Sequence, residues 1–154
     1  MPVLVAKQIR ERAYVALIRR AVYETLKMEG VSLRSEVSVV VCDDEFIHQL
    51  NREYMGEDRP TDVLSFPQEE AGSGGEAGVS TGKRQRRALG DIIVSLPTVT
   101  DHARERNITV ERELVLVVAH ATLHLLGYDH DNPEAQAEMW QRQDRVVEKL
   151  IGSV

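Results

Sequence analysis

The stretch VERELVLVVAHATLHLLGYDH, residues 110–130, decides the fold. Thr109 is a good N-cap, and Glu111 and Glu113 stand in the first turn, where a helix dipole favours acids. From Leu114 to Leu126 the side chains are apolar nearly all round, so the spacing predicts a helix buried on most of its surface. Its valines also suit a strand, but the length between Thr109 and Gly127 favours helix. That helix ends in imidazoles: three of the chain's five histidines fall between 120 and 130.

His120 and His124 are four residues apart and therefore share a helix face. Gly127 can adopt the left-handed conformation that ends a helix, after which the chain turns back and brings His130 toward the pair. Three neutral imidazoles suit one Zn²⁺ per chain, with a fourth tetrahedral position open, the arrangement of catalytic sites more than structural ones. The competing reading is that these are satisfied core histidines. The position after His120 is Ala121 where HExxH metalloproteases carry their general base, which counts against peptide hydrolysis. Asp129 either fixes the tautomer of a ligand imidazole, acts as a base, or is a plain turn residue before the last helix.

Working outward, residues 9–28 carry Ala13, Leu17, Ala21 and Leu26 at helical spacing, closed by Gly30. VSVVVC (37–42) reads as a strand, and Asp43 or Asp44 caps a helix EFIHQLNREYM that ends at Gly56. TDVLSF (61–66) and LGDIIVSL (89–96) read as strands. Pro97 opens a short helix, and Asn132 with Pro133 opens a C-terminal one whose stripe is Met139, Val146 and Leu150. The expected fold is α+β: a small mixed sheet of about four strands covered by helices, with the histidine-bearing helix buried at its centre. His48 and His102 are read as surface or packing residues on amphipathic helices.

The 154 residues suit one domain spanning 1–154. Residues 68–88, with five glycines, read as a flexible loop within that domain. No apolar run approaches a membrane span and no signal peptide is evident, so a cytoplasmic protein without a membrane partner is expected. The lone cysteine, Cys42, excludes an internal disulfide and reads as a buried small hydrophobe. A net charge of −6 argues against nucleic-acid binding over the whole surface, but Lys83, Arg84, Arg86 and Arg87 form a compact basic cluster at the loop's end. That cluster is either an arm that gathers RNA or the solvated end of a tolerated insertion.

HATLHLLGYDH at 120–130 resembles the HGxLHLxGYDH signature of the YbeY-type endoribonucleases, a family of bacterial rRNA maturation factors. LNREYMGEDRPTDVLSFP at 50–67 and LGDIIVS at 89–95 are similar to two further stretches of that family, and Glu113 and Met139 fall where it has Glu and Met. The resemblance runs from about residue 37 to 150. It implies a zinc-dependent, single-strand-specific endoribonuclease acting in 16S rRNA 3′-end maturation and ribosome quality control, with an rRNA precursor and the small ribosomal subunit as partners. By position it makes His120, His124 and His130 the zinc ligands. Two departures stand out. Ala121 replaces the usual glycine, and Met55 and Glu57 replace the arginine and lysine of the family's LNxxYRxKD stretch. Arg59 or Arg52 is then the candidate for the missing phosphate-contacting cation. Two rival functions stay open: a metallohydrolase of another substrate class, and a non-catalytic ribosome assembly factor whose zinc is structural.

Overall fold

The computed structural model describes residues 3–5, 12–68, 88–129 and 131–152. Along the chain run β1 (Val3–Val5), α1 (Arg12–Met28), β2 (Glu36–Cys42), α2 (Asp44–Leu50), β3 (Val63–Pro67) and β4 (Ala88–Ser95). Three helices follow: α3 (Leu96–Arg106), α4 (Val110–Leu125) and α5 (Pro133–Leu150). The strands form one mixed sheet in the order β1-β2-β4-β3. β1 and β4 flank β2 in parallel, and β3 runs antiparallel to β4. None of the described helices is long and apolar enough to cross a membrane.

The period of two in β2 sorts its side chains between two layers. Val37, Val39 and Val41 point into the main core with Ile92 and Val94 of β4, Leu17, Ile18 and Val22 of α1, and Leu114, Val115 and Val118 of α4. Cys42 and Ile93 point the other way and pack with Ile47 of α2 and Leu64 of β3. The α1, α4 and α5 helices thus cover one face and α2 the other. Each fully buried Leu, Ile or Val contributes about 1.5–3 kcal/mol relative to exposure. Burial and the carboxylates of Asp43 and Asp44 push the Cys42 thiol up to about 12, so it stays protonated and acts as an apolar filler.

Side chains cap the helices where the residue types predict. Asp43 accepts from Phe46 N at 3.0 Å, Thr109 from Arg112 N at 3.1 Å, and Asn132 from Ala135 N at 2.8 Å. One expected helix changes character: α2 stops at Leu50, and Asn51–Met55 forms a π-helical stretch. Asn51 is buried there and donates from Nδ2 to the Arg59 carbonyl at 2.8 Å, which fixes the loop before β3. Insertions of this kind gather at functional sites. Gly90, on β4, has φ +143°, and a Cβ there would collide with the Phe66 carbonyl oxygen and lie 2.9 Å from Leu125 Cδ2. Only glycine lets β3, β4 and the end of α4 approach this closely. Of the expected loop 68–88, residues 69–87 lie outside the described residues.

Candidate active site

The α4 helix is buried through Leu114, Val115, Val118, Ala119, Thr122, Leu123 and Leu125, but one side is left partly open by Leu116, His120 and His124. These three recur every fourth residue, so they form a single stripe. The stripe lines a cleft of about 760 Å³ whose opposite walls are Val63, Leu64, Ser65 and Pro67 of β3, Trp140, Gln143 and Asp144 of α5, and Met55. The helix therefore carries its imidazoles into a concave site between sheet and C-terminal helix.

His120 and His124 stand edge to face, with ring centroids 5.3 Å apart and planes at 71°. His120 Nδ1 lies 2.9 Å from Oε1 of Gln143, which is 7% exposed. An amide oxygen can only accept, so this contact calls for the proton on Nδ1, and in the neutral ring the lone pair is then on Nε2. This is the tautomer a metal-ligating histidine takes when its second nitrogen is held by a neighbouring acceptor. The helix then ends as its sequence predicts: Gly127, at φ +104°, donates to the His124 carbonyl at 3.0 Å, and Tyr128 N donates to the Leu123 carbonyl at 3.1 Å. Tyr128 donates its hydroxyl to Glu29 at 2.7 Å, and Arg142 pairs with the same carboxylate at 2.9 Å while its guanidinium lies 5.2 Å from the Tyr128 ring centre. That network ties the turn after α4 to α1 and α5. His130 lies outside the described residues, as do Lys83, Arg84, Arg86 and Arg87.

A second polar group sits toward the N-terminal end of the same cleft. Glu113 is fully buried, and Arg106 Nη1 donates to both its oxygens at 3.0 and 3.1 Å. Burial raises the Glu113 pKa, against the pull of the Arg106 guanidinium. His102 Nδ1 is buried and lies 3.4 Å from Asp62 Oδ2, in ion-pair reach but without the alignment of a hydrogen bond. Asp62, His102 and Glu113 bring ligand-type atoms within 4.8 Å of one another, close enough to share a cation. Glu113 is thus a buried anion with a dedicated partner, more than a first-turn acid favoured by the dipole, and His102 belongs to this group.

Several expected site residues fall elsewhere. Arg59 is exposed, pairs with Glu57 at 3.1 Å, and is absent from the cleft walls. Arg52 sits 3.6 Å from Asp58, which also meets His48 Nε2 at 2.8 Å. Asp129 is exposed and accepts from Asp131 N at 3.2 Å, the geometry of a turn residue. Sequence reading does not reach Gln143 or Arg106. A signal for Gln143 exists: it lies four residues after Met139 on the buried stripe of α5, a polar residue at a core position. Arg106 and Glu113 are joined across the left-handed Asn107, which no helical period spans.

Comparison with known proteins gives the chain's family. The family model described as Endoribonuclease YbeY matches residues 5–151. A Bacillus cereus (strain G9842) protein named Endoribonuclease YbeY is 41% identical over 142 residues, 92% of this chain and 89% of the relative. One of the same name from Pelotomaculum thermopropionicum is 40% identical over 154 residues, 97% of each chain. The solution structure of a Thermotoga maritima protein superposes with a TM-score of 0.67 at 31% identity, covering 99% of this chain and 90% of that one. With the family model spanning nearly its whole length, the chain belongs to the Endoribonuclease YbeY family.

Proposed function

We propose that the chain, as one domain over residues 1–154, is a zinc-dependent endoribonuclease of the cytoplasm that cuts single-stranded RNA. Its place is in 16S rRNA 3′-end maturation and ribosome quality control, acting with the small ribosomal subunit. The observation that carries this reading is the His120–His124 pair facing a cleft, with Gln143 holding His120 in the ligand tautomer, in a chain of an endoribonuclease family.

His120, His124 and His130 would hold the ion, and the donor set of neutral imidazoles fits Zn²⁺. Zinc bound there supplies Lewis acidity toward a phosphoryl oxygen and lowers the pKa of a coordinated water, in the best cases to about 7. The protein's own contribution is positioning. Gln143 fixes one ring, and the Tyr128–Glu29–Arg142 network anchors the turn that leads to His130. Trp140 and Met55, 49% and 46% exposed, give the cleft an apolar rim on which an unstacked base can rest, which favours a single strand over a duplex. Arg59 and Asp129 take no part in this reading.

Zinc-loaded protein incubated with a single-stranded 16S 3′-end fragment, and with the same fragment annealed to its complement, tests the proposal. Cleavage of the first alone is expected. One observation favours a second reading: Met55 brings no charge to the cleft where the resembled family has arginine, as a non-catalytic assembly factor would tolerate. A loaded protein that binds the RNA and leaves it intact would establish that reading instead.

A further inference from the structure

We infer that Arg106 is a phosphate-binding subsite for RNA, engaging a backbone phosphate beside the one that reacts. The inference rests on the proposed nuclease reading and extends it to a residue with no assigned role. Among the described residues that line the cleft, Arg106 is the sole lysine or arginine. Its side chain is 54% exposed while its partner Glu113 is 1% exposed, so the guanidinium stands at the boundary between core and cleft. Both hydrogen bonds to Glu113 come from Nη1. A guanidinium has five N–H donors in a planar fork, and those on Nε and Nη2 make no hydrogen bond to another described residue. A phosphodiester, planar in its two free oxygens and singly charged, matches that fork.

The Asp62–His102–Glu113 group could instead be read as a second metal site. Arg106 already takes both oxygens of Glu113, so a divalent ion would have to enter against a fixed positive charge or displace it. The group acts as a mount for the guanidinium: a buried carboxylate sets its position, and Asp62 and His102 lie beside that carboxylate, within 4.8 Å of it. Glu113 precedes His120 by seven residues, two turns or roughly 10 Å along the helix axis. Arg106, at the end of α3, meets α4 at Glu113, about two turns from His120, and so meets a phosphate flanking the one held at the histidines. Contacts to a flanking phosphate lower KM and leave kcat nearly alone, because they are the same in the ground and transition states.

The test uses zinc-loaded full-length protein. Trp140 is the chain's single tryptophan and lines the same cleft, so its fluorescence reads the binding of a single-stranded oligodeoxythymidylate, which a ribonuclease does not cut. Arg106→Gln with Glu113→Gln replaces the ion pair by a neutral amide pair and leaves no buried charge unpaired. It is expected to weaken binding about tenfold and to reduce the slope of log affinity against log salt by about 0.7. On single-stranded RNA it should raise KM about tenfold with kcat within about twofold. Glu113→Gln alone keeps the guanidinium and should keep the wild-type slope, and a fall in slope confined to the double variant is what a purely structural role for the pair does not predict. A wild-type slope and KM in the double variant would overturn the inference, as would a fall confined to kcat. Wild type that binds the oligodeoxythymidylate yet cuts no RNA would count against the nuclease reading alone, and the salt slopes would still decide the role of Arg106.

Discussion

Replacing Gln143 with leucine tests whether the His120 tautomer matters. Leucine keeps most of the volume at a position 7% exposed and removes the one acceptor 2.9 Å from Nδ1. Two effects separate. Without metal, a nearly buried hydrogen bond is lost, at a cost of about 1 kcal/mol, which lowers Tm by about 2–4 °C for a protein of this size. With metal, the lost partner no longer selects the Nε2 lone pair, and partners of this kind change metal affinity by about 10- to 100-fold. Gln143 is a neutral amide and a weaker acceptor than a carboxylate, so the expected loss lies near tenfold, about 1.4 kcal/mol. Gln143→Glu supplies the stronger acceptor and is expected to bind zinc more tightly than wild type. The assay is competition for zinc against a chromophoric chelator at fixed pH, with thermal melts of the metal-free proteins alongside. Wild-type zinc affinity in Gln143→Leu would show that the 2.9 Å contact has no part in preparing the site.

Three further outcomes follow from particular residues. Gly90→Ala forces a side chain into a φ of +143° against the Phe66 carbonyl and Leu125, and should destabilise by about 2 to 5 kcal/mol in urea unfolding; a loss under about 1 kcal/mol would mean that β3 and β4 can separate there. Glu113 has a raised pKa, so the folded state binds its proton more readily than the unfolded state, and its stabilising contribution is full below the ordinary value of 4.5 and lost as pH rises through the folded value. Wild type should accordingly lose stability relative to Glu113→Gln as pH rises above about 4.5, and a gain with rising pH would reverse the sign. If the basic segment gathers RNA, changing Lys83, Arg84, Arg86 and Arg87 together to alanine flattens the salt slope by about 1 to 2 units, and an unchanged slope makes the segment a tolerated insertion.

The central helix and its ending were legible because their information is local. The Thr109 cap, the apolar run and Gly127 all lie within the segment they organise, and the four-residue spacing of His120 and His124 placed both rings on one face. Strands β2, β3 and β4 were legible through β-branched runs bounded by turn residues. What escaped depends on contacts between distant segments. The three residues of β1 are too few to show a period, and their strand character comes from pairing with Val39–Val41. The π-helical stretch begins at a buried Asn51 whose partner is the Arg59 carbonyl, beyond the helix, where no helical period points. Glu113 looks in sequence like any acid in a first turn, and only the packing of α3 against α4 makes it a buried anion matched to Arg106. The same holds for Gln143, which gains its role by meeting His120 across two helices.

The measurement that bears most directly on the central claim pairs metal content with RNA cleavage, for wild type and His124→Ala side by side. After zinc loading and removal of excess, wild type should retain about one zinc per chain and cut a single-stranded 16S 3′-end fragment. His124→Ala should keep its fold by circular dichroism, since a core of this size does not depend on a metal, and lose most of both the zinc and the cleavage. Wild-type zinc content in His124→Ala, or cleavage that persists after its zinc is gone, would contradict the account.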